Sequence, residues 1–275
     1  MRVAVVGHVE WVEFARVDHV PAPGEIVHAL ETWEEPAGGG AVAAVQLARL
    51  AGNCLFLTAL GDDELGHRAA RELEQLGVRV EAAWRPEPQR RAFTHIDAAA
   101  ERTITVIGSR LGPHTDDPLP WDELADADAV YFTAGDAEAV RAARAARRLV
   151  ATTRANEALM PAHVELDVLV RSARDPGEEY EELEPPPRFV AETDGASGGS
   201  LIATDGKTHH WTAAPLPGPA VSAYGAGDSF AAGLTYGLAR GLDPAKAVEL
   251  GARCGAICMT GRGPYDAPLD GSLIP

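Results

Sequence analysis

Short, wholly apolar runs alternate along this chain with stretches whose apolar residues recur every three to four positions. Val3–Val6, stopped by Gly7, reads as a strand buried on both faces. Cys54–Ala59, Ala129–Phe132, Leu149–Thr152, Val168–Val170 and Phe189–Glu192 repeat that pattern. Helices are predicted between and after them: Ala41–Leu50, entered from Gly38-Gly39-Gly40 and ended at Ala51-Gly52, then His67–Leu76, Ala137–Arg147, Asp228–Arg240 and Pro244–Met259. Strand and helix in alternation predict an α/β fold, a mainly parallel sheet covered by helices.

Two segments break the rhythm. From Arg90 to Leu111 the pattern becomes strict alternation, Phe93-Thr94-His95-Ile96 and Thr103-Ile104-Thr105-Val106 around a polar turn, which is a hairpin. Val17–Pro36 is irregular, with a turn at Pro21-Ala22-Pro23-Gly24 and strand-like pieces on either side. With no repeat, linker or break in composition, the expectation is one domain over residues 1–275, carrying a small β lid from about 10–36 and 90–111. Gly199–Thr204 and His209–Thr212 read as a further hairpin, with His209-His210 solvated rather than ligating.

Composition narrows the function. The chain has 275 residues, 46% of them hydrophobic, ample for a buried core, and its net charge of −17 argues against a nucleic-acid binder, which needs a basic face. Lys207 and Lys246 are the only lysines, so a phosphate clamp must come from Arg or from backbone amides. Cys54, Cys254 and Cys258 form an odd set that reads as buried thiols in a reducing compartment rather than a disulfide framework or metal pair. No apolar run reaches membrane-spanning length, so a soluble, cytoplasmic protein with no membrane partner is expected.

The chemistry concentrates in Val221–Phe230, where Gly225-Ala226-Gly227-Asp228 runs directly into a helix. Small residues opening a helix bare several N–H groups toward an anion, and a carboxylate set among them can take a proton from an attacking hydroxyl. That pairing is what phosphoryl transfer needs. A capped glycine-rich turn is the plainer alternative. Gly38-x-Gly40-x-x-Ala43 is a poor dinucleotide fingerprint, since about thirty residues separate it from the first strand. Asp62-Asp63 reads as a helix cap before a metal pair.

Taken in order, these pieces resemble the ribokinase-like (PfkB) family of carbohydrate and nucleoside kinases over essentially the whole chain. The resemblance rests on Pro21–Glu25, Gly38–Gly40, Gly61-Asp62-Asp63 with Gly66, Glu101-Arg102-Thr103, Thr193-x-Gly195 and, most specifically, Gly225–Asp228. It implies a three-layer α/β/α domain with a β lid, ATP as donor with Mg2+, and a sugar or nucleoside as acceptor. It implies Asp228 as catalytic base and Gly225, Ala226 and Gly227 as the amide nest for the transferred group. Thr193 and Gly195 become nucleotide contacts, Ala252–Gly263, including Ala252 and Gly255, the adenine pocket, and Gly38, Gly39 and Gly40 the floor under the sugar. Relatives often pair their lids, so a homodimer through Phe93, Ile96, Ile104 and Val106 is expected.

Departures from the family concern the substrate. Val42 stands where an Asn is usual, and Glu10 and Val12 stand where Asn and Asp usually grip sugar hydroxyls. With Glu10 repelling anions, a neutral or cationic acceptor with an apolar portion is expected. The family's Asn-x-x-Glu aligns with Ser172-Ala173-Arg174-Asp175, which leaves Asp175 as the metal carboxylate. Ser222-Ala223 replaces the usual Asp-Thr, weakening the case for a monovalent-cation site, and Arg154, Arg171 and Arg174 are the cations at hand for phosphate. A ligand-binding protein with little catalysis is the alternative.

Overall fold

The computed structural model describes residues 1–267 and 269; the rest of the expected 1–275 span lies outside the described residues. The large sheet begins at β1 (Val3–Val6), whose run is buried throughout, with alternate residues feeding two separate apolar clusters. β2 (Glu10–Arg16) and β3 (Glu31–Ala37) follow as an antiparallel pair, longer than the strand-like pieces expected around the Pro21–Gly24 turn. Next come α1 (Gly39–Ala51), β4 (Cys54–Gly61), α2 (Glu64–Gln75) and β5 (Val78–Arg85). Asp63 caps α2, accepting from the Gly66 N–H at 2.9 Å. The hairpin is β6 (Arg91–Ile96) and β7 (Arg102–Ile107).

The second half runs β8 (Ala129–Phe132), α3 (Ala137–Ala143), β9 (Leu149–Thr152), α4 (Asn156–Ala162) and β10 (Val168–Ser172). β11 (Phe189–Thr193), β12 (Gly199–Ala203) and β13 (Thr208–Trp211) precede the closing pair α5 (Ala226–Ala239) and α6 (Pro244–Cys258). α3 stops short of the expected Arg147 because the amides of Ala145 and Ala146 turn back onto carbonyls three residues earlier.

The nine strands lie in the order β13-β12-β11-β10-β9-β8-β1-β4-β5, parallel from β11 to β5, with β12 and β13 antiparallel at one edge. Val3 and Val5 join the apolar cluster that holds α1, α5 and α6, while Ala4 and Val6 join the one that holds α3 and α4. Helices therefore cover both faces. β3-β2-β6-β7 form a separate four-stranded sheet, in which β2 and β6 run parallel. Its inner residues Trp11, Val12 and Phe14 are fully buried in the main core, whereas every residue of β7 is exposed. Cys54, Cys254 and Cys258 are free and buried, and no helix among the described residues is long and apolar enough to cross a membrane.

Candidate active site

Three backbone segments are pressed together where β1 ends. A Cβ on Gly7 would run into the Thr133 hydroxyl and stand 3.0 Å from Gly40 Cα, and one on Gly40 would lie 2.6 Å from the His8 carbonyl oxygen. Only bare backbone fits between strand end and helix start. Gly38 N–H donates to the Tyr224 hydroxyl at 3.3 Å, and Tyr224 meets Phe14 edge-on, so the small sheet helps hold this corner.

The α5 entrance is built from two glycines with opposite demands. Gly225 caps the helix at φ 79°, where a Cβ would meet Pro264 Cβ at 2.7 Å and Val42 Cγ1 at 3.2 Å. Gly227 is exposed, and a Cβ on it would find no atom within 4 Å. No side chain caps the first turn, which opens toward solvent with the positive end of the helix behind it. Asp228 sits in this turn. Its Oδ1 is 3.1 Å from the position of a Cβ on Gly39, and His8 Cε1 is 3.6 Å from the same point, so Gly39 marks where the carboxylate, the imidazole and the start of α1 converge.

Loss of hydration pushes the Asp228 carboxyl up to about 6, helped by the negative charge of Glu178; Arg102 and Arg154 pull it back and Glu10 raises it further. His8 is held well below the usual imidazole range by burial, then by the charges of Arg110, Arg90 and Arg154, so it is neutral at pH 7. Its Nδ1 and the Thr133 hydroxyl are both buried without a hydrogen-bond partner among the described residues.

Glu10 is not a free negative charge. Arg90 Nε grips its Oε1 at 2.7 Å, and His8 Nε2 lies 3.9 Å from the same oxygen. The expectation of a neutral or cationic acceptor therefore loses its basis. Val12 and Val42 are completely buried in the apolar core and present no surface to a ligand, Val42 packing beneath Gly225 instead.

Asp175 is engaged as well. It accepts from the Gly177 N–H at 2.9 Å and pairs with Arg154, whose Nε also binds Glu178 Oε1 at 2.8 Å. Glu178 Oε2 accepts from the Ser172 N–H at 2.7 Å, and its negative charge reaches Asp228. Glu178 carries no motif in the sequence, since it follows the Pro176-Gly177 turn and opens an acidic run. Arg171 and Arg174 are paired too, with Glu192 at 3.2 Å and Asp194 at 2.6 Å.

Thr193 ends β11 beside this group, its hydroxyl donating to the Arg171 carbonyl at 3.3 Å and its own carbonyl accepting from Ala173 N–H at 2.9 Å. Gly195, at φ 53°, lies against the Arg174 guanidinium, 3.1 Å from Cζ to the position of a Cβ. Ala252 is half-buried on α6. Gly255 is buried against α5, with a Cβ there 3.0 Å from the Ala226 carbonyl oxygen, so its bareness serves helix contact. No group of three or more His, Cys, Asp or Glu suited to a metal occurs among the described residues. Magnesium needs only one or two protein carboxylates when nucleotide phosphates and water supply the rest, and Asp175 and Glu178, both paired with Arg154, are the ones that could serve.

The sequence matches the family described as pfkB family carbohydrate kinase over residues 1–270. It is 30% identical over 294 residues to the ATP-dependent ribose-1-phosphate kinase of Halopiger xanaduensis, covering 98% of this chain and 95% of that protein. The ribokinase of Thermotoga maritima superimposes with a TM-score of 0.76 at 22% identity, covering 99% of this chain and 97% of that one. The ribokinase of Arabidopsis thaliana, solved with ribose and ATP, gives 0.76 at 19% identity, with 99% and 96% covered. With a glycine-opened helix carrying Asp228 at the end of a parallel sheet and a family match along nearly its whole length, the chain belongs to the pfkB family of carbohydrate kinases, phosphotransferases that act on a hydroxyl acceptor.

Proposed function

We propose that this protein transfers the γ-phosphoryl group of ATP to a hydroxyl of a ribose-type sugar, with Asp228 as general base. The observation that carries this is the placement of Asp228: a carboxylate in the open first turn of α5, beside the bare Gly227 and facing Gly39. Asp228 takes the acceptor proton as the oxygen attacks the γ-phosphorus and ADP leaves. The N–H groups of the Gly225–Asp228 turn hold the charge that grows on the phosphoryl oxygens. A carboxyl that titrates near 6 is well matched to this task, being ionised at pH 7 yet basic enough to accept the proton. Relatives named for ribose 1-phosphate and for ribose support a pentose acceptor, and the complex of one of them with ATP supports the donor.

Asp175 and Glu178 are the residues for magnesium, which when bound neutralises the phosphate oxygens of the nucleotide. Thr193 and Gly195 extend the same rim toward the nucleotide. The whole chain works as one kinase domain, and the small sheet acts as a lid. The Ala223 N–H donates to the Ala100 carbonyl at 2.8 Å and Arg16 donates to the Val221 carbonyl at 3.3 Å, so the lid lies over the α5 entrance and helps keep water from the transferred group. The exposed Ile104, Val106 and Ile107 of β7 suit pairing with the lid of a second copy.

Asp228→Asn tests the reading. Turnover with ribose and ribose 1-phosphate should fall by at least about a hundredfold while ATP binding persists. Near-normal turnover in that variant removes Asp228 as the base.

A further inference from the structure

The charges around the acceptor corner are unevenly matched. Arg90 is paired with Glu10, and Arg154 with Asp175 and Glu178, but Arg110 has no carboxylate within 4 Å among the described residues. The one hydrogen bond its guanidinium makes there goes to a neutral partner, the Arg154 carbonyl, at 2.9 Å. Arg110 follows β7, so the small sheet carries it to the mouth of the site. Arg102, on β7 itself, likewise has no carboxylate within 4 Å among the described residues and lies close enough to Asp228 to act on it electrostatically.

Beneath these cations lies His8. Its imidazole is buried, its Nε2 is 3.9 Å from the oxygen of Glu10 that Arg90 grips, and its Nδ1 has no partner. An unsatisfied buried nitrogen costs stability until something supplies the missing bond. Arg90 and the orphaned ring meet at Glu10, next to the Gly39 corner that Asp228 faces, and Arg110, bound to the Arg154 carbonyl, adds its charge to the field on that ring. Such a region has spare donors on Arg110, which feels the charges of Glu10 and Glu157 but touches no carboxylate among the described residues. A plain sugar would leave Arg110 unmatched, whereas a phosphomonoester offers several strong acceptor oxygens and matches the guanidinium fork.

We propose that the acceptor sugar already carries a phosphate group, and that Arg110 and Arg90 bind it over His8, whose Nδ1 meets the same ligand. This names the substrate class for the kinase reading above and rests on it only for the reaction, not for the binding. Arg110 is thus a binding and specificity residue. Its lid-side location means that the group is grasped as the lid covers the site, while Asp228 addresses a hydroxyl elsewhere on the same sugar.

Two measurements on the full chain test this. Calorimetry without nucleotide should show ribose 1-phosphate binding at least about tenfold more tightly than ribose or ribonate, and Arg110→Gln should abolish that preference, with Arg110→Lys intermediate. Steady-state assays with ATP should show kcat/KM for ribose 1-phosphate exceeding that for ribose, and the ratio of the two collapsing at least about tenfold in Arg110→Gln. His8→Ala should weaken ribose 1-phosphate binding while its circular dichroism and melting remain cooperative. If that variant does not fold, the Arg110 pair decides alone, since Arg110 is exposed. Equal use of ribose and ribose 1-phosphate, or an Arg110→Gln variant with the wild-type ratio, overturns the phosphate subsite and leaves the kinase reading standing. Preference for ribonate overturns phosphate in favour of a carboxylate. Tight, Arg110-dependent binding of ribose 1-phosphate with no ATP consumption upholds the subsite and removes the kinase reading.

Discussion

Replacing Gly225 and Gly227 separately by alanine should split stability from catalysis, because the two glycines are bare for different reasons. At Gly225 the backbone is left-handed, φ 79°, which disfavours any Cβ by about 1–2 kcal/mol. That Cβ would also press on Pro264 Cβ at 2.7 Å and Val42 Cγ1 at 3.2 Å, an overpacking that typically adds about 1–3 kcal/mol. Gly225→Ala should therefore cost about 2–5 kcal/mol and lower Tm by roughly 4–15 °C. Gly227 shares neither constraint: its φ is ordinary for a helix and a Cβ there touches nothing within 4 Å. Alanine there should leave stability unchanged or raise it by up to about 1 kcal/mol through helix propensity. Yet that methyl would stand in the open space that the first-turn amides face, where the transferred phosphoryl group is proposed to lie. Turnover with ATP and ribose 1-phosphate should fall by at least about thirtyfold, the scale of losing part of such a donor set. Thermal melts beside steady-state kinetics read both quantities from the same samples. A Gly227→Ala enzyme within threefold of wild type would show that the open turn does not receive the phosphoryl group.

Other outcomes follow from the charges and surfaces described. Because the proposed base Asp228 must be ionised to act and its carboxyl is pushed up to about 6, kcat/KM should fall about tenfold per pH unit below that value, and Glu178→Gln should move this acid limb downward by removing a negative neighbour; an unmoved limb separates Glu178 from Asp228. The same raised value means that the folded protein binds the Asp228 proton more tightly than the unfolded chain does. Ionisation thus destabilises the fold as pH rises through about 6, and Asp228→Asn should raise stability by up to about 3 kcal/mol at pH 8 while changing little at pH 3 in denaturant titrations; equal effects at both pH values contradict this. Glu178→Gln should raise the magnesium concentration for half-maximal rate more than Asp175→Ala does, since the charge of Glu178 is the one that acts on Asp228; titrations superimposable on wild type exclude both from the metal site. Light scattering should give a dimer at micromolar concentration that Ile104→Asp converts to monomer, and a wild-type monomer would rule out lid pairing.

The strand-and-helix frame was legible because wholly buried strands such as Val3–Val6 and Ala129–Phe132 read as unbroken apolar runs, and because Gly225–Asp228 is confined to one combination of turn and helix start. β5 was not: an edge strand with Arg79, Glu81 and Arg85 along it and only Val78 and Ala83 buried has no such run. α4 was hidden by its length, seven residues leaving too few turns for a period to show. At the site, sequence order brought Asp228 and Gly39 to attention, but pairing is not written in order. That Glu10 belongs to Arg90, eighty positions away, and that Asp175 and Glu178 share Arg154 both depend on how distant backbone segments close on each other. His8 carried no motif at all; only its burial without a partner marks it.

The hydrogen bond from Ala223 N–H to the carbonyl of Ala100, itself held at φ 63°, ties the tip of the small sheet to the chain two residues before Gly225. One joint thus serves two parts with separate tasks, so access to the acceptor corner and the readiness of the phosphate-facing amides cannot vary independently. If the small sheet is the proposed lid, swinging it away would slacken the turn before α5, and a sugar that drew it down would tighten that turn before the nucleotide reacted. By reciprocity, whatever steadies the amides must also favour the closed sheet. Acceptor and donor should therefore each raise the other's affinity by the same factor, with their sites coupled through the contacts that join the small sheet to the chain before Gly225.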